Sequence, residues 1–346
     1  MMNYKVFDVG DALFSVFIKH TVNNNEKNKS VFDFGFSHIN YFNKIEMSEY
    51  VDTETFVISH FHLDHYKGFN AVTNNSLNFK KLIIPKLPKN KELAESMVAF
   101  MTIQLYFLGS ETGNYEADLL RIIRGKNQSD FDIERVKRDD NFSASETNFN
   151  VLWPDESFLS SSVIIQKALQ KINKIKSENE AFKKFSDDVE NSTFWNSNRS
   201  DTSEGSKYNY NIDLSDDEKK ILKSANNSLI QVANDICLAF ENEGKELLFL
   251  GDLSDKALDI LFEKDFNEKV SYQAILSAHH GTHSSINVKW KNIRSYVVIT
   301  SGGKQRLRKF RGAYFLWSNR QHHTFCKGTF NSTLYRRSCR INKLIK

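Results

Sequence analysis

The sequence predicts an α/β sandwich. Three observations lead to this fold class: short apolar runs that end in polar residues, helical periodicity between the later runs, and enough apolar material for a core. Of the 346 residues, 40% are hydrophobic, 28 are phenylalanine and only 3 are proline. This composition argues against a disordered chain. Strands with helices between them are typical of α/β rather than all-β proteins. We therefore expect one domain over residues 1–346.

Strands are predicted where short runs rich in Val, Ile, Leu and Phe are bounded by polar turns. Helices are predicted where apolar residues recur three or four positions apart. The helix from 214 has the clearest start, because Ser215 precedes three acidic residues, as an N-cap residue does. In chain order, the predicted strands are 4–9, 13–18, 30–34, 55–59, 81–85, 149–152, 236–240, 247–250, 272–276 and 296–300, and the predicted helices are 91–108, 118–124, 162–189, 214–232 and 254–264.

The middle of the chain departs from this alternation of strands and helices. Residues 155–233 combine helical periodicity with a polar stretch at 192–211 that is rich in Ser and Asn. The strand pattern resumes only after them. We interpret 155–233 as a helical insertion into the sheet framework, which either covers a site as a lid or contacts a protein partner. The sequence favours neither role.

Cysteine usage and the apolar runs bear on the compartment. The three cysteines, Cys237, Cys326 and Cys339, are too few and too scattered for a disulfide framework. The N-terminal residues lack the hydrophobic region of a signal peptide. The longest apolar stretch, 97–108, is too short to span a bilayer. We expect a soluble, cytoplasmic protein with reduced thiols and no contact with membranes.

The basic residues are concentrated at the C-terminal end. The formal net charge is only +4, but the segment 301–346 holds twelve of the 47 Lys and Arg residues and none of the 43 Asp and Glu residues. This basic C-terminal segment favours an anionic partner, with nucleic acid first, although a solvated surface or an acidic protein partner remains open. The residues expected to contact nucleic acid are Lys304, Arg306, Arg308, Lys309 and Arg311, among the aromatic residues Phe310, Tyr314, Phe315 and Trp317.

A histidine cluster follows the predicted strand 55–59. His60 and His62 are two residues apart, so an extended segment would direct both imidazoles to the same side. Asp64 and His65 follow at once. This pattern supplies two imidazoles to one metal ion and a carboxylate with an imidazole to a neighbouring ion, which suits a two-metal hydrolytic site. A structural zinc site is the alternative, but such sites usually recruit cysteine, and none lies nearby.

Two later strands also end in residues of metal-ligand type. Asp252 follows four apolar residues, and His279 with His280 follows the predicted strand 272–276. Functional side chains at strand ends stand on a rigid scaffold. An unpaired carboxylate at 252 would be costly. Metal coordination removes this cost, as would a salt bridge. The alternative role for Asp252 is to cap the helix 254–264.

Six sequence motifs, taken in chain order, are the basis of a resemblance to a known superfamily. They are Asp8-Val9-Gly10, Phe32-Asp33-Phe34-Gly35, Ser59-His60-Phe61-His62-Leu63-Asp64-His65, Leu250-Gly251-Asp252, His279-His280-Gly281-Thr282 and Ser301-Gly302-Gly303. With them the chain resembles the metallo-β-lactamase superfamily, and within it the ComEC-like branch of DNA-uptake proteins and phosphorylcholine esterases. Asn234 also matches that branch. The resemblance covers about 1–90, 149–154 and 234–303. It implies a four-layer αβ/βα sandwich with a two-metal site between the sheets.

For the first metal, the resemblance implies His60 and His62 as ligands, with Asp252 bridging to the second metal. Many members of the superfamily add a histidine from the middle of the chain. No histidine lies between the two histidine motifs of this sequence. The first metal would therefore have two imidazoles and the bridging carboxylate, unless Asp235 or Asn234 contributes.

For the second metal, the resemblance implies Asp64, His65 and one of His279 and His280. It does not tell which of the two. The other histidine would donate a hydrogen bond to a developing oxyanion or protonate the leaving group. Catalytic roles thus fall on Asp64, His279 and His280. The expected cofactors are two divalent ions, zinc first, with Mn²⁺ and Fe²⁺ as alternatives.

These expectations lead to a functional hypothesis. A metal-dependent hydrolase is predicted, most readily a phosphodiesterase or nuclease in which the metals generate the hydroxide that attacks. Two alternatives are kept. One is a hydrolase of a small ester, thioester or lactam. The other is a non-enzymatic assembly module that contacts a protein partner through 155–233.

Overall fold

The computed structural model describes residues 2–20, 27–158, 163–195 and 210–331. Numbered in chain order, the strands are β1 Met2–Val6, β2 Phe14–His20, β3 Lys27–Phe34, β4 Thr55–Val57, β5 Lys81–Pro85, β6 Asp132–Val136, β7 Asn141–Ala144, β8 Thr147–Trp153, β9 Ala239–Asn242, β10 Leu247–Phe249, β11 Val270–Leu276, β12 Ile293–Thr300, β13 Gln321–His323 and β14 Phe330–Asn331. The helices are α1 Ile39–Phe42, α2 Gly68–Ala71, α3 Lys91–Thr112, α4 Leu119–Lys126, α5 Val163–Glu178, α6 Glu180–Glu190, α7 Asp216–Asp235, α8 Asp255–Asp265, α9 Lys304–Arg308 and α10 Thr324–Lys327.

The strands form two seven-stranded sheets. The first has the order β14-β1-β2-β3-β4-β5-β6, and the second has the order β13-β12-β11-β10-β9-β8-β7. In each sheet one half is antiparallel and the other half is parallel. Antiparallel pairs such as β1 with β2 and β7 with β8 join strands that are close in sequence, whereas β14 with β1 and β8 with β9 join distant ones. The parallel pairs need crossover connections. The carboxyl ends of the parallel strands therefore share an edge in each sheet.

Alternation along the buried strands divides the core into layers. In β5, Ile83 packs between the two sheets, while Leu82 and Ile84 pack against helices on the outer face of the first sheet. The space between the sheets is filled largely by phenylalanines, with the ring of Phe32 centred 5.5 Å from Phe149 and 5.3 Å from Phe240. Helices α3 to α7 cover the outer face of the first sheet, and α8 covers that of the second. This arrangement confirms the predicted four-layer αβ/βα sandwich.

The segment between β8 and β9 is helical, as expected, but the single helix predicted at 162–189 is wrong. It is two helices, α5 and α6, and the break is at Asn179. The Asn179 side chain accepts a hydrogen bond from the Phe182 backbone N–H at 3.0 Å and so starts α6 as its N-cap. Ser215 caps α7, as predicted, and Glu218 completes a reciprocal capping box. Most of the polar stretch predicted at 192–211 lies outside the described residues.

Four short strands were not predicted from the sequence: β6, β7, β13 and β14. Their apolar content is low, and β6 is an edge strand with only its last residue, Val136, fully buried. Because such strands gain their stability from pairing rather than from burial, periodicity does not reveal them. β14 pairs with β1, a strand far away in sequence, and β13 pairs in parallel with the preceding strand β12.

Helix α3 is the core helix of the first helical layer. Among the described residues it is the one helix long and apolar enough to cross a membrane by length and composition, yet 72% of its most apolar window is buried inside the protein. Met97, Phe100 and Ile103 are fully buried within the same core as α5, α6 and α7. The apolar composition of α3 is therefore explained by its burial in the core of the protein.

Candidate metal centre

The candidate site lies where the parallel strands of both sheets end. The loop after β4 carries His60, His62 and a 3₁₀ turn, Leu63–His65. The loop after β10 carries Asp252, and the loop after β11 carries His280. Chain packing against the first loop is very close at Gly35, where a Cβ atom would lie 1.5 Å from the Asp64 carbonyl oxygen. Because any Cβ atom would collide with the Asp64 backbone, only glycine allows the chain after β3 to lie this close to the loop.

Asp252 stands at the centre of the site. Its Oδ2 atom lies 3.6 Å from His65 Nε2, 3.6 Å from His279 Nε2 and 3.7 Å from His280 Nε2. Asp252, His65 and His280 are buried, and His279 is mostly buried. The distances are too long for hydrogen bonds, so one carboxylate oxygen faces three imidazole nitrogens across a gap.

Two groups of ligand atoms within this site fit a metal ion. One consists of His60, His65 and Asp252, and the other consists of Asp64, His65 and His280, with the ligand atoms of each group within 4.8 Å of one another. In the described part of the chain, the Nε2 atoms of these three histidines and Oδ2 of Asp252 are buried without a hydrogen-bond partner. Burying unpaired polar atoms is costly, and divalent cations would satisfy them. The residues therefore fit the metal centre that the sequence predicts.

The other ring nitrogens of the cluster histidines are held by neighbouring side chains. His65 Nδ1 lies 2.8 Å from Asp33 Oδ2, and His280 Nδ1 lies 2.9 Å from the Ser301 hydroxyl. Ser59 donates its backbone N–H to Asp33 at 2.6 Å and its hydroxyl to the same carboxylate at 2.7 Å. Such partners orient metal-binding imidazoles and leave Nε2 directed into the site. Asp33 and Ser301 belong to motifs recognised in the sequence, but no role was predicted for either residue.

Burial and neighbouring charges prepare these side chains for metal ions. Burial lowers the pKa of His60 well below its usual value and that of His280 to about 3, so both are neutral near pH 7. Burial would raise the pKa of Asp252, but the adjacent His280 and His279 hold it well below its usual range. Neutral imidazoles and an ionised carboxylate are the protonation states that ligands need, and His60, His280 and Asp252 have them. Burial would lower the pKa of His65, but Asp33, Asp64 and Asp252 hold it well above its usual value, so a metal ion would have to displace a proton from that ring.

His279 and His280 diverge from each other. Both have left-handed backbone angles, with φ of 44° and 56°, at the kink in the turn after β11. His280 faces the cluster. His279 Nε2 also lies near Asp252, but it accepts a hydrogen bond from Arg306 Nη1 at 2.9 Å, and His279 Nδ1 lies 2.9 Å from His283 Nε2. The structure thus distinguishes two neighbours that the sequence left equivalent.

His62, like His279, is a predicted ligand that stands outside both groups. Its Nδ1 lies 2.8 Å from Asp64 Oδ1, and its side chain is partly exposed. In this conformation His62 contacts Asp64 and does not belong to the ligand group of His60.

Asp235, which the sequence left open as a mid-chain ligand, is engaged in other contacts. The Asp235 carboxylate accepts hydrogen bonds from Ser254 at 2.6 Å and from Gln231 at 3.2 Å, so it is not part of either group. Cys237 lies next to the cluster instead. Its sulfur accepts the Asp252 backbone N–H at 3.0 Å. This contact places the loop after β10.

The five predicted basic residues are dispersed. Arg306 reaches the site through His279, whereas Arg311 donates to the Thr282 carbonyl oxygen at 2.9 Å and lies 3.4 Å from Asp255. Lys304, Arg308 and Lys309 are exposed at α9 and form no ion pair within the described ranges. Of the aromatic residues expected among them, Tyr314 and Trp317 are buried in the outer core of the second sheet.

A cavity of about 390 Å³ opens beside His62 and Asp64. Helices α3 and α7 form one wall, with Gln104 from α3 and Asn226 from α7 joined by a 2.7 Å hydrogen bond. Gln104 also accepts the Leu63 backbone N–H at 3.1 Å, so it ties this wall to the loop of the candidate ligands. A helix of the segment 155–233 therefore contributes to the opening of the site.

Comparison with known proteins adds two distant structural neighbours. No protein-family model matches the chain, and no curated protein matches it. One matching solved structure is the BLEG-1 B3 metallo-β-lactamase, at 10% identity and a TM-score of 0.28, with 72% of this chain and 71% of that chain covered. Another is a β-lactamase domain protein from Burkholderia ambifaria, at 9% identity and a TM-score of 0.23, covering 40% of this chain and 41% of that one. Similarity at this level says nothing about activity.

Proposed function

We propose that this chain is a metal-dependent hydrolase of the metallo-β-lactamase superfamily, in its ComEC-like branch, and that its substrate is a phosphodiester. One observation carries the proposal: buried ligand atoms of His60, His65, His280 and Asp252 face one another without hydrogen-bond partners in the described chain. A chance cluster would have paired these atoms internally or exposed them to water. The order of the sequence motifs supports the branch.

Two divalent ions would be held by the two ligand groups. His60 and Asp252 belong to one, Asp64 and His280 belong to the other, and His65 is common to both. Bound there, divalent ions supply Lewis acidity and lower the pKa of a water molecule. Imidazole and carboxylate donors suit zinc first, with Mn²⁺ and Fe²⁺ as alternatives.

The protein's own residues contribute orientation and charge. Asp33, Ser59 and Ser301 hold the cluster imidazoles through the ring nitrogens that face away from the site. The cavity beside the site has cationic side chains on its walls, Lys67 and Lys223. Lys67 pairs with Glu111, while Lys223 is exposed. Asp64 and Glu111 line the same cavity, so its wall carries no net formal charge, and the attraction for an anionic substrate would come from the divalent ions.

The first experiment measures metal content and hydrolysis together. Protein purified without chelators is analysed for zinc, manganese and iron, beside His280→Ala and a control, His38→Ala, whose side chain lies outside the cluster. We expect about two metal equivalents in the wild type and the control, and a clear loss in His280→Ala. Turnover of bis-p-nitrophenyl phosphate and of single- and double-stranded DNA and RNA follows with zinc or manganese. A wild type without bound metal, or without turnover of any phosphodiester, contradicts the proposal.

The size of the cavity favours a second candidate. A volume of about 390 Å³ fits a small molecule, so a small ester, thioester or lactam is the alternative substrate. Salt dependence separates the two. Binding of nucleic acid weakens steeply as salt is added, whereas turnover of a small neutral ester does not.

A further inference from the structure

The segment after β12 packs against the histidines of the candidate metal centre. Ser301 contacts His280, Gly303 donates its backbone N–H to Asp11 at 2.7 Å, and Arg306 reaches His279. Gly302, with φ of 121°, lies between them: a Cβ atom there would be 3.0 Å from Arg306 Cβ and 3.3 Å from His280 Cβ. The Gly302 backbone therefore lies directly between the side chains of Arg306 and His280.

The hydrogen-bond network shows that Arg306 has a neutral partner. His283 Nδ1 lies 2.9 Å from the Leu253 carbonyl oxygen, so it donates there, and its Nε2 accepts from His279 Nδ1. His279 Nε2 then carries a lone pair, which accepts from Arg306 Nη1. This chain of contacts orients the guanidinium and leaves its positive charge in place.

The charge of Arg306 is only weakly compensated. The nearest carboxylate, Asp11, lies 4.0 Å from Arg306 Nε and already accepts the Gly303 N–H. In the described residues, the hydrogen bond to His279 is the one that the guanidinium makes, so several of its N–H groups have no protein partner. Its side chain is 23% exposed.

A cation at this position opposes the binding of divalent cations, unless an anion binds between them. Arginine presents a planar set of N–H donors that matches phosphate oxygens in pairs. We propose that Arg306 binds the non-bridging oxygens of a phosphodiester at the metal centre, with His279 and His283 holding its guanidinium in position. This inference rests on the proposed function and assigns the residue that selects an anionic substrate.

The test compares Arg306→Gln and Arg306→Lys with the wild type and with Arg294→Gln. Arg294 is an exposed arginine at the opposite end of β12 and serves as the matched control. Metal content and the thermal midpoint are measured first. Binding of inorganic phosphate to the zinc-loaded proteins is then followed by calorimetry, and turnover is compared for bis-p-nitrophenyl phosphate and the neutral ester p-nitrophenyl acetate.

We expect Arg306→Gln to keep its metal and to bind phosphate roughly 10- to 100-fold more weakly, as the loss of charge-assisted hydrogen bonds implies. Arg306→Lys retains the charge without the planar fork and should be intermediate. It also serves as the variant to interpret if Arg306→Gln does not fold. Turnover of the phosphodiester should fall by about 10²-fold, with little change for the neutral ester.

Unchanged phosphate binding in both Arg306 variants overturns the inference. So does an equal loss of turnover for both substrates at unchanged phosphate binding, because the arginine would then only position His279. A wild type that binds phosphate through Arg306 but hydrolyses no phosphodiester supports the inference and refutes the proposed function. A wild type that binds neither metal nor phosphate refutes both.

Discussion

Asp33→Asn tests whether the support behind His65 matters for metal binding. Asp33 is fully buried, and its two oxygens accept from Ser59 and face His65 Nδ1 at 2.8 Å. Its backbone has φ of 55°, a left-handed conformation that asparagine tolerates. The substitution therefore changes the hydrogen bonding without forcing the chain to move.

The expected magnitude follows from the tautomer of His65. An amide NH₂ in place of the Asp33 oxygen donates to Nδ1, which then has to accept, so the ring proton moves to Nε2. That nitrogen faces Asp252 in the site and lies in both ligand groups. Loss of such a partner lowers metal affinity by about 10- to 100-fold, which corresponds to about 1.4–2.7 kcal/mol.

The assay is zinc affinity, measured by competition with a chromophoric chelator near pH 7. Asp139→Asn is the matched control, because Asp139 also has a left-handed backbone, with φ of 69°, and its side chain is 87% exposed. The control should bind zinc as the wild type does. Wild-type affinity in Asp33→Asn would refute the reasoning, since His65 would then need no support from this carboxylate.

Three further predictions use other parts of the fold. Gly35→Ala should reduce metal content and lower the thermal midpoint, because its Cβ atom would meet the Asp64 backbone. The control Gly125→Ala places its Cβ atom in open space and should bind metal normally. Equal metal content in the two variants would contradict this prediction. Phe240→Ala, in the core between the sheets, should lower the free energy of unfolding by about 3–5 kcal/mol in urea titrations; a loss below 1 kcal/mol contradicts the packing described. Burial raises the pKa of Asp155, but hydrogen bonds from Lys264 and Ser157 outweigh it and lower that pKa. The stability that Asp155 adds is therefore present above the unfolded pKa of about 3.9 and is lost as pH falls through the lower folded value. The difference in unfolding free energy between wild type and Asp155→Asn should shrink below about pH 4, and a difference that grows there refutes the assignment.

Local sequence determined the buried strands and the positions of the ligand residues along them. Runs such as the one before His60 and the one before Asp252 are short, apolar and followed by polar residues, and each of these signals lies within a few neighbouring positions. The capping box at Ser215 is local in the same way. Pattern alone therefore predicts the fold class and most of the elements.

The tertiary structure decided which side chains meet. Asp33 supports His65 from 32 residues away, and Arg306 reaches His279 from 27 residues away. Periodicity carries no information about such pairs, because strand order and loop direction bring them together. The short strand β14 was missed for the same reason, because its partner β1 lies at the other end of the sequence.

The pair His279 and His280 shows most clearly what the sequence determines and what the tertiary structure decides. Adjacent and chemically identical, the two residues are equivalent in the sequence. Both Nε2 atoms lie near Asp252, but that of His279 accepts a hydrogen bond from Arg306, whereas that of His280 has no hydrogen-bond partner in the described chain. The residue types able to bind metal were determined by the sequence itself, while the tertiary packing around the turn after β11 decided which imidazole keeps a free Nε2 atom in the site.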